Sequence, residues 1–193
     1  MTYSGGIKTP LYGDVKPNAA DCVISLYHKI VLMILRNLLF VILISFISAS
    51  CTKKETQEVK VVKFDSIKKL LKNDQNKVLL VNFWATWCAP CVKELPNFEA
   101  INKDYDNVEV VLVNLDFVQD LEKVKKFVAT KELKSKIILL DEIDYDTWID
   151  QVNPKWSGAI PATYIISARA TKEKFMEGEL TGEELTKTLE KFL

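Results

Sequence analysis

Histidine is almost missing from this 193-residue chain; the only one is His28. A mature protein without it has no Ser-His or Cys-His catalysis, few routes to a zinc site and no haem held through a following His. Cysteine is scarce too. Cys22, Cys51, Cys88 and Cys91 are the four, too few for a disulfide-stapled mini-protein, and the length does not require one. Excess charge is absent, with 26 basic residues against 26 acidic ones. There is therefore no electrostatic case for nucleic acid. Internal repeats, low-complexity segments and basic runs interleaved with aromatics are also missing. What remains is 48% hydrophobic residues, enough for one ordinary domain plus extras.

The N-terminal part is an address. Leu38 to Ile47 is almost entirely apolar, Arg36 lies just upstream, and Ser48, Ala49 and Ser50 precede Cys51. A short positive region, an apolar stretch and a small-residue site make a secretory signal peptide. The uninterrupted stretch is shorter than the roughly 20 residues a membrane span needs. Small residues directly before a cysteine resemble a bacterial lipobox, with Ser48 where that motif usually has a Leu-like residue. The resemblance implies lipidation of Cys51. An ordinary signal cleaved near Ser50 would instead leave a free thiol, a liability in an oxidising compartment. Met33 opens a segment of normal signal proportions, so translation is expected to start there. Residues 1–32, with Cys22 and His28, would then be a non-native extension, 33–50 the signal and 51–58 a polar tether.

Residues 59–193 read as one α/β domain. Val59 to Phe64 alternates partly and suggests a strand. Asp65 is placed to cap a helix through Lys72, with Ile67, Leu70 and Leu71 on one face. Val78 to Ala85 and Val108 to Leu115 are continuous apolar runs of buried-strand length. Helices are expected after the Thr86–Cys91 segment to about Tyr105, over Gln119 to Leu133 and over Tyr145 to Val152. Ile137 to Leu140 is a further strand. Ala162 to Ser167 and Lys174 to Glu177 form a hairpin. Thr181 with Glu184 makes a capping box for a last helix ending near Leu193. This order predicts a mixed sheet flanked by helices, parallel first and antiparallel at the hairpin.

Cys88 and Cys91 stand as C-x-x-C where a strand gives way to a helix. There Cys88 meets unpaired N–H groups and the positive end of the helix dipole, which favour a thiolate. Pro90 lacks an N–H and suits the first turn. Cys91, one turn further in, should be less exposed and could resolve a mixed disulfide formed at Cys88. No other Cys or His remains to complete a zinc site. A two-residue loop adds little as a structural staple, and Val92 rather than His follows. The pattern therefore reads as redox chemistry, with no metal and no cofactor beyond the Cys88–Cys91 disulfide.

Val81 to Cys91 (VNFWATWCAPC), continued by Glu94 and Pro96, resembles the active-site segment of the thioredoxin superfamily. The pattern resembles the TlpA/ResA-like envelope disulfide reductases more than cytosolic thioredoxin. The resemblance covers roughly Val59 to Leu193 and implies a thioredoxin-like fold. Pro96 inside the helix should kink it. Gly158 to Thr163 resembles the family's cis-proline loop, which places Ile160 and a cis Pro161 beside the dithiol, with Trp87, Ala89 and Pro90 completing the substrate groove. Asn82 stands where thioredoxin has a buried Asp, and Asn cannot take a proton from the resolving cysteine. Glu94 and Asp116 are the candidate proton acceptors, with a solvated first-turn helix residue as the equal alternative for Glu94. Trp84 and Trp148 are core by default, and Trp156 either borders the groove or packs under it. The acidic run Asp141 to Asp150 lacks the glycine and spacing of a calcium loop.

The implied activity is reduction of protein disulfides in the bacterial cell envelope, facing the periplasm or exterior. Partners would be protein thiol and disulfide substrates, a membrane thiol carrier supplying electrons, and the membrane through the lipid anchor. The absence of His between the cysteines favours a reductase over an oxidase or isomerase on the same fold. A redox-inert binding module is the reading from another class, and an exposed Cys88 would argue against it.

Overall fold

The structure is a computed structural model that describes residues 19–47 and 57–193; Cys51 and the small residues before it lie outside the described residues. The chain divides into two units, residues 1–54 and 55–193. In the first, helix α1 (Ala19–Ile47) runs across Met33 without a break. His28 and the apolar residues described between Val23 and Phe40 are mostly exposed. Among the described residues no helix is long and apolar enough to cross a membrane.

The second unit is a six-stranded mixed sheet with helices on both faces. Its strands are β1 (Val59–Val62), β2 (Val78–Trp84), β3 (Val108–Asn114), β4 (Lys136–Leu140), β5 (Ala162–Ile166) and β6 (Glu173–Glu177). The order across the sheet is β1-β4-β3-β2-β5-β6. β1, β4, β3 and β2 run parallel, β5 is antiparallel to β2, and β6 is antiparallel to β5. The layout is the expected thioredoxin-like one.

The helices are α2 (Phe64–Leu71), α3 (Ala89–Asp104), α4 (Leu121–Lys131), α5 (Tyr145–Val152) and α6 (Gly182–Leu189). Every residue of β2 is buried, as a strand covered on both faces must be. Pleat parity divides its side chains. Val78, Leu80 and Trp84 pack with Cys91, Leu95 and Phe98 of α3, Val124 and Val128 of α4, and Leu185 and Leu189 of α6. Leu79, Val81 and Phe83 pack on the other side with Phe64 and Ile67 of α2 and Trp148 and Val152 of α5. By the same parity Asn82 faces α3.

Several sequence-based boundaries shift. β1 stops at Val62 because Phe64 already belongs to α2. Lys63 is the N-cap of that helix and makes no side-chain cap bond, so Asp65 does not cap it. Asp65 sits in the first turn, where its charge suits the helix dipole. The helix expected from Gln119 begins as a 3₁₀ turn (Val118–Asp120) and ends where Glu132 takes a left-handed conformation, φ 55°. The last helix stops at Leu189. Phe192 is nevertheless buried, through a further turn in which its N–H bonds the Leu189 carbonyl. The Thr181–Glu184 capping box forms as expected. α3 continues past Pro96 as one helix.

Candidate active site

The dithiol sits where β2 ends. Ala85 accepts the Cys88 N–H at 3.2 Å, which turns the chain into α3. Cys88 is the N-cap of that helix, and its Sγ accepts the Cys91 N–H at 3.3 Å. Pro90, in the first turn, has no N–H to leave unpaired. Cys88 and Cys91 are joined as a disulfide. Cys91 is fully buried. Cys88 is only 6% exposed, so the exposed Cys88 expected from the sequence is not found. One side of Sγ bonds Cys91, and another lies 3.8 Å from the Ile160 carbonyl oxygen, which a distant loop brings over it.

That carbonyl belongs to the loop before β5, where the Ile160–Pro161 peptide is cis. The loop is held by Gly158, whose φ of +89° favours glycine. It is also held by the Trp156 indole, which donates to Ala159 O at 2.8 Å. Trp156 is buried against Phe83 at 4.7 Å and Trp148 at 5.5 Å between ring centroids. It therefore packs under the groove and does not border it. Trp87 is 64% exposed. With Ile160, Ile149 and Tyr145 it lines an open groove beside the dithiol. Ala89 and Pro90 are exposed and Pro161 is buried, and none of the three lines this groove.

Behind the disulfide lies a polar network inside the core. Glu94 is 1% exposed, so it is not a solvated helix residue. Its carboxylate accepts Asn82 Nδ2–H at 2.7 Å and the Leu180 N–H at 2.9 Å. Asn82 Nδ2 also donates to Thr163 Oγ1 at 3.2 Å, while Asn82 Oδ1 has no partner. Burial raises the pKa of Glu94 above the ordinary carboxylate value, outweighing the two hydrogen bonds that lower it. Glu94 follows Cys91 by three residues, so the two share one face of α3.

Asp116 is engaged differently. Its oxygens accept the Thr86 N–H at 2.7 Å, the Thr86 hydroxyl at 2.5 Å and Asn114 Nδ2–H at 2.8 Å. Lys123 Nζ lies 3.8 Å away. These contacts make Asp116 the anchor of the Thr86-Trp87-Cys88 loop. Sequence reasoning named the residue but missed this job, although Thr86 within the quoted segment offered a hydroxyl partner. It also missed Thr163 and Leu180, which reach the network only through tertiary contact. Among the described residues no group of acidic, Cys or His side chains could hold a metal ion.

The AhpC/TSA family profile matches residues 49–171. The chain is 31% identical over 128 residues to thioredoxin-like protein YneN of Bacillus subtilis, covering 64% of this chain and 69% of that protein. It is 30% identical over 138 residues to thiol-disulfide oxidoreductase ResA of Bacillus cereus, covering 72% of this chain and 76% of the relative. A thiol:disulfide interchange protein of Chlorobium tepidum, from the thioredoxin family, superposes with a TM-score of 0.51 at 22% identity. That match covers 65% of this chain and 83% of the other.

Proposed function

The chain belongs to the AhpC/TSA family, and on that basis we propose that it reduces disulfides of protein substrates in the bacterial cell envelope. It is a thiol–disulfide oxidoreductase, as ResA of Bacillus cereus is named. The observation that carries the reading is the Cys88–Cys91 disulfide at the N-terminus of α3, beside an open groove.

In the reduced protein the Cys91 N–H and the helix dipole stabilise a Cys88 thiolate. This thiolate attacks a substrate disulfide, forming a Cys88–substrate bond and releasing one substrate sulfur as a thiolate. Cys91 then loses its proton to Glu94 and attacks Cys88 Sγ. The second substrate sulfur leaves and Cys88–Cys91 closes, so two electrons have passed to the substrate. A carboxylate with a raised pKa is suited to taking a thiol proton near neutral pH. Asp116 holds the loop that presents Cys88.

The envelope location rests on the signal-like segment and on Cys51, whose setting supports a lipid anchor. Electrons for repeated turnover would come from a membrane thiol carrier. The direction of the reaction is tested by the reduction potential of Cys88–Cys91 in the full chain carrying Cys22→Ser and Cys51→Ser. A value near or below about −230 mV is expected for a reductant, whereas about −120 to −180 mV would make the protein an oxidant or isomerase.

A further inference from the structure

The open end of the sheet carries more apolar surface than the dithiol needs. Trp87, Phe117 and Ile143 are 64%, 53% and 74% exposed. They come from three separate loops, those following β2, β3 and β4. The register brings the loops together, because Trp84 pairs with Asn114 and Asn114 with Leu139, so the three parallel strands end level. One depression lies beside the redox loop and is lined by Trp87, Ile149 and Ile160. A second is lined by Phe117, Val118 and Ile143. Leu115 and Tyr145 line both, so the two depressions adjoin as the halves of a trough with these residues as their shared wall. Scattered exposed apolar residues are ordinary, but a contiguous patch marks a binding surface.

The charge of the trough is one-sided. Asp116, Asp141, Glu142 and Asp146 line it, and no Lys or Arg does. Asp116 and Asp141 are balanced by Lys123 at 3.8 Å and Lys63 at 3.1 Å. Glu142 and Asp146 form no ion pair among the described residues, nor do their neighbours Asp144 and Asp150. In a chain of zero formal net charge this local excess does not follow from composition.

We infer that the trough binds a polypeptide segment bearing a large apolar side chain flanked by Lys or Arg, and selects such segments as disulfide substrates of Cys88. The inference rests on the thiol–disulfide reading above. Apolar walls supply contact area, while unpaired carboxylates steer a basic segment in and repel an acidic one.

The test uses the full chain carrying Cys22→Ser, Cys51→Ser and Cys91→Ala, in a neutral detergent. Two synthetic peptides each carry one Trp and one cysteine capped as a mixed disulfide with thionitrobenzoate. One is flanked by Lys and Arg, the other by Asp and Glu. Cys88 Sγ attacks the peptide sulfur, the Cys88–peptide disulfide forms, and the coloured thionitrobenzoate anion leaves with the electron pair, so no further reductant is needed. Each rate is divided by that of the same peptide with 2-mercaptoethanol. The basic peptide is expected to react at least about tenfold faster than the acidic one at low salt. The ratio should shrink towards one in about 1 M salt, where charges are screened within about 3 Å. It should shrink likewise when Glu142→Gln and Asp146→Asn are added.

Equal normalised rates at low salt, or a preference that the double substitution leaves intact, would overturn the inference. So would a dimer seen by light scattering that excess basic peptide does not dissociate, since a second copy of the chain would then occupy the trough. No reaction of Cys88 with either peptide or with the free thionitrobenzoate disulfide would overturn the thiol–disulfide reading itself.

Discussion

Glu94→Gln changes little in the shape of the buried network behind the dithiol but removes its acid. The Leu180 N–H is a fixed backbone donor, 2.9 Å from the Glu94 carboxylate, so the new amide must turn its oxygen to it. Its NH₂ then faces Asn82, which now presents Nδ2 at 2.7 Å. Asn82 Oδ1 has no partner to lose. Rotating that amide by about half a turn offers Oδ1 to the new donor, and the Thr163 hydroxyl can swing round to donate as well. The turn leaves Asn82 Nδ2 facing the buried position where Oδ1 had no partner, so the hydrogen-bond cost should be about 1–3 kcal/mol.

The charge adds a pH dependence of definite sign. Burial raises the Glu94 pKa, so the folded protein holds a proton that the unfolded chain has released. The stabilisation from that proton is complete below the ordinary carboxylate value of 4.5 and is lost as pH rises through the folded value. Each tenfold weakening of the acid is worth about 1.4 kcal/mol. Gln does not titrate. Compared with the natural protein, the variant should therefore gain in relative stability between pH 4.5 and pH 8 in urea unfolding of the oxidised forms. Reduction of a protein disulfide should meanwhile slow by about 10²-fold, the scale of a lost general base. A variant whose stability relative to the natural protein does not rise between pH 4.5 and pH 8, or one exchanging within about twofold of the natural rate, would refute the reasoning.

Asp116→Ala strands the Thr86 N–H, the Thr86 hydroxyl and the Asn114 amide. With buried donors costing about 1–3 kcal/mol each when unpaired, and some relief from water, a loss of about 2–4 kcal/mol is expected in chemical denaturation. A loss below about 1 kcal/mol would mean the loop is anchored elsewhere. Phe83→Ala empties a fully buried site between Trp148, at 6.4 Å, and Trp156, at 4.7 Å. It should cost about 3–5 kcal/mol and alter tryptophan fluorescence, and a loss under about 1.5 kcal/mol would show that the rings collapse into the gap.

Much of this fold was legible because its signals are local. β2 and β3 are continuous apolar runs, which only strands covered on both faces require. The Thr181–Glu184 box lies within four residues of chain. The C-x-x-C spacing needs nothing beyond its own turn. Boundaries failed where a neighbour decided them: Asp65 looked like a cap, but Phe64, drawn into the core beside Trp148, starts α2 two residues earlier than that cap would. Cys88 was expected to be exposed because local sequence does not show the Ile160 carbonyl, which comes from 72 residues away.

The sequence by itself determined the chemistry of the chain: a dithiol at a strand–helix junction, no histidine within residues 51–193, and apolar strands long enough to build the sheet around it. Tertiary structure alone decided the settings of its two acids. Glu94 and Asp116 are both carboxylates near the same motif. Pleat parity turns Asn82 towards Glu94 inside the core, while the parallel register of β2 and β3 sets Asp116 under Thr86. The same register gathers three loops into an acidic apolar trough, because strands that end level bring together side chains that are far apart along the chain.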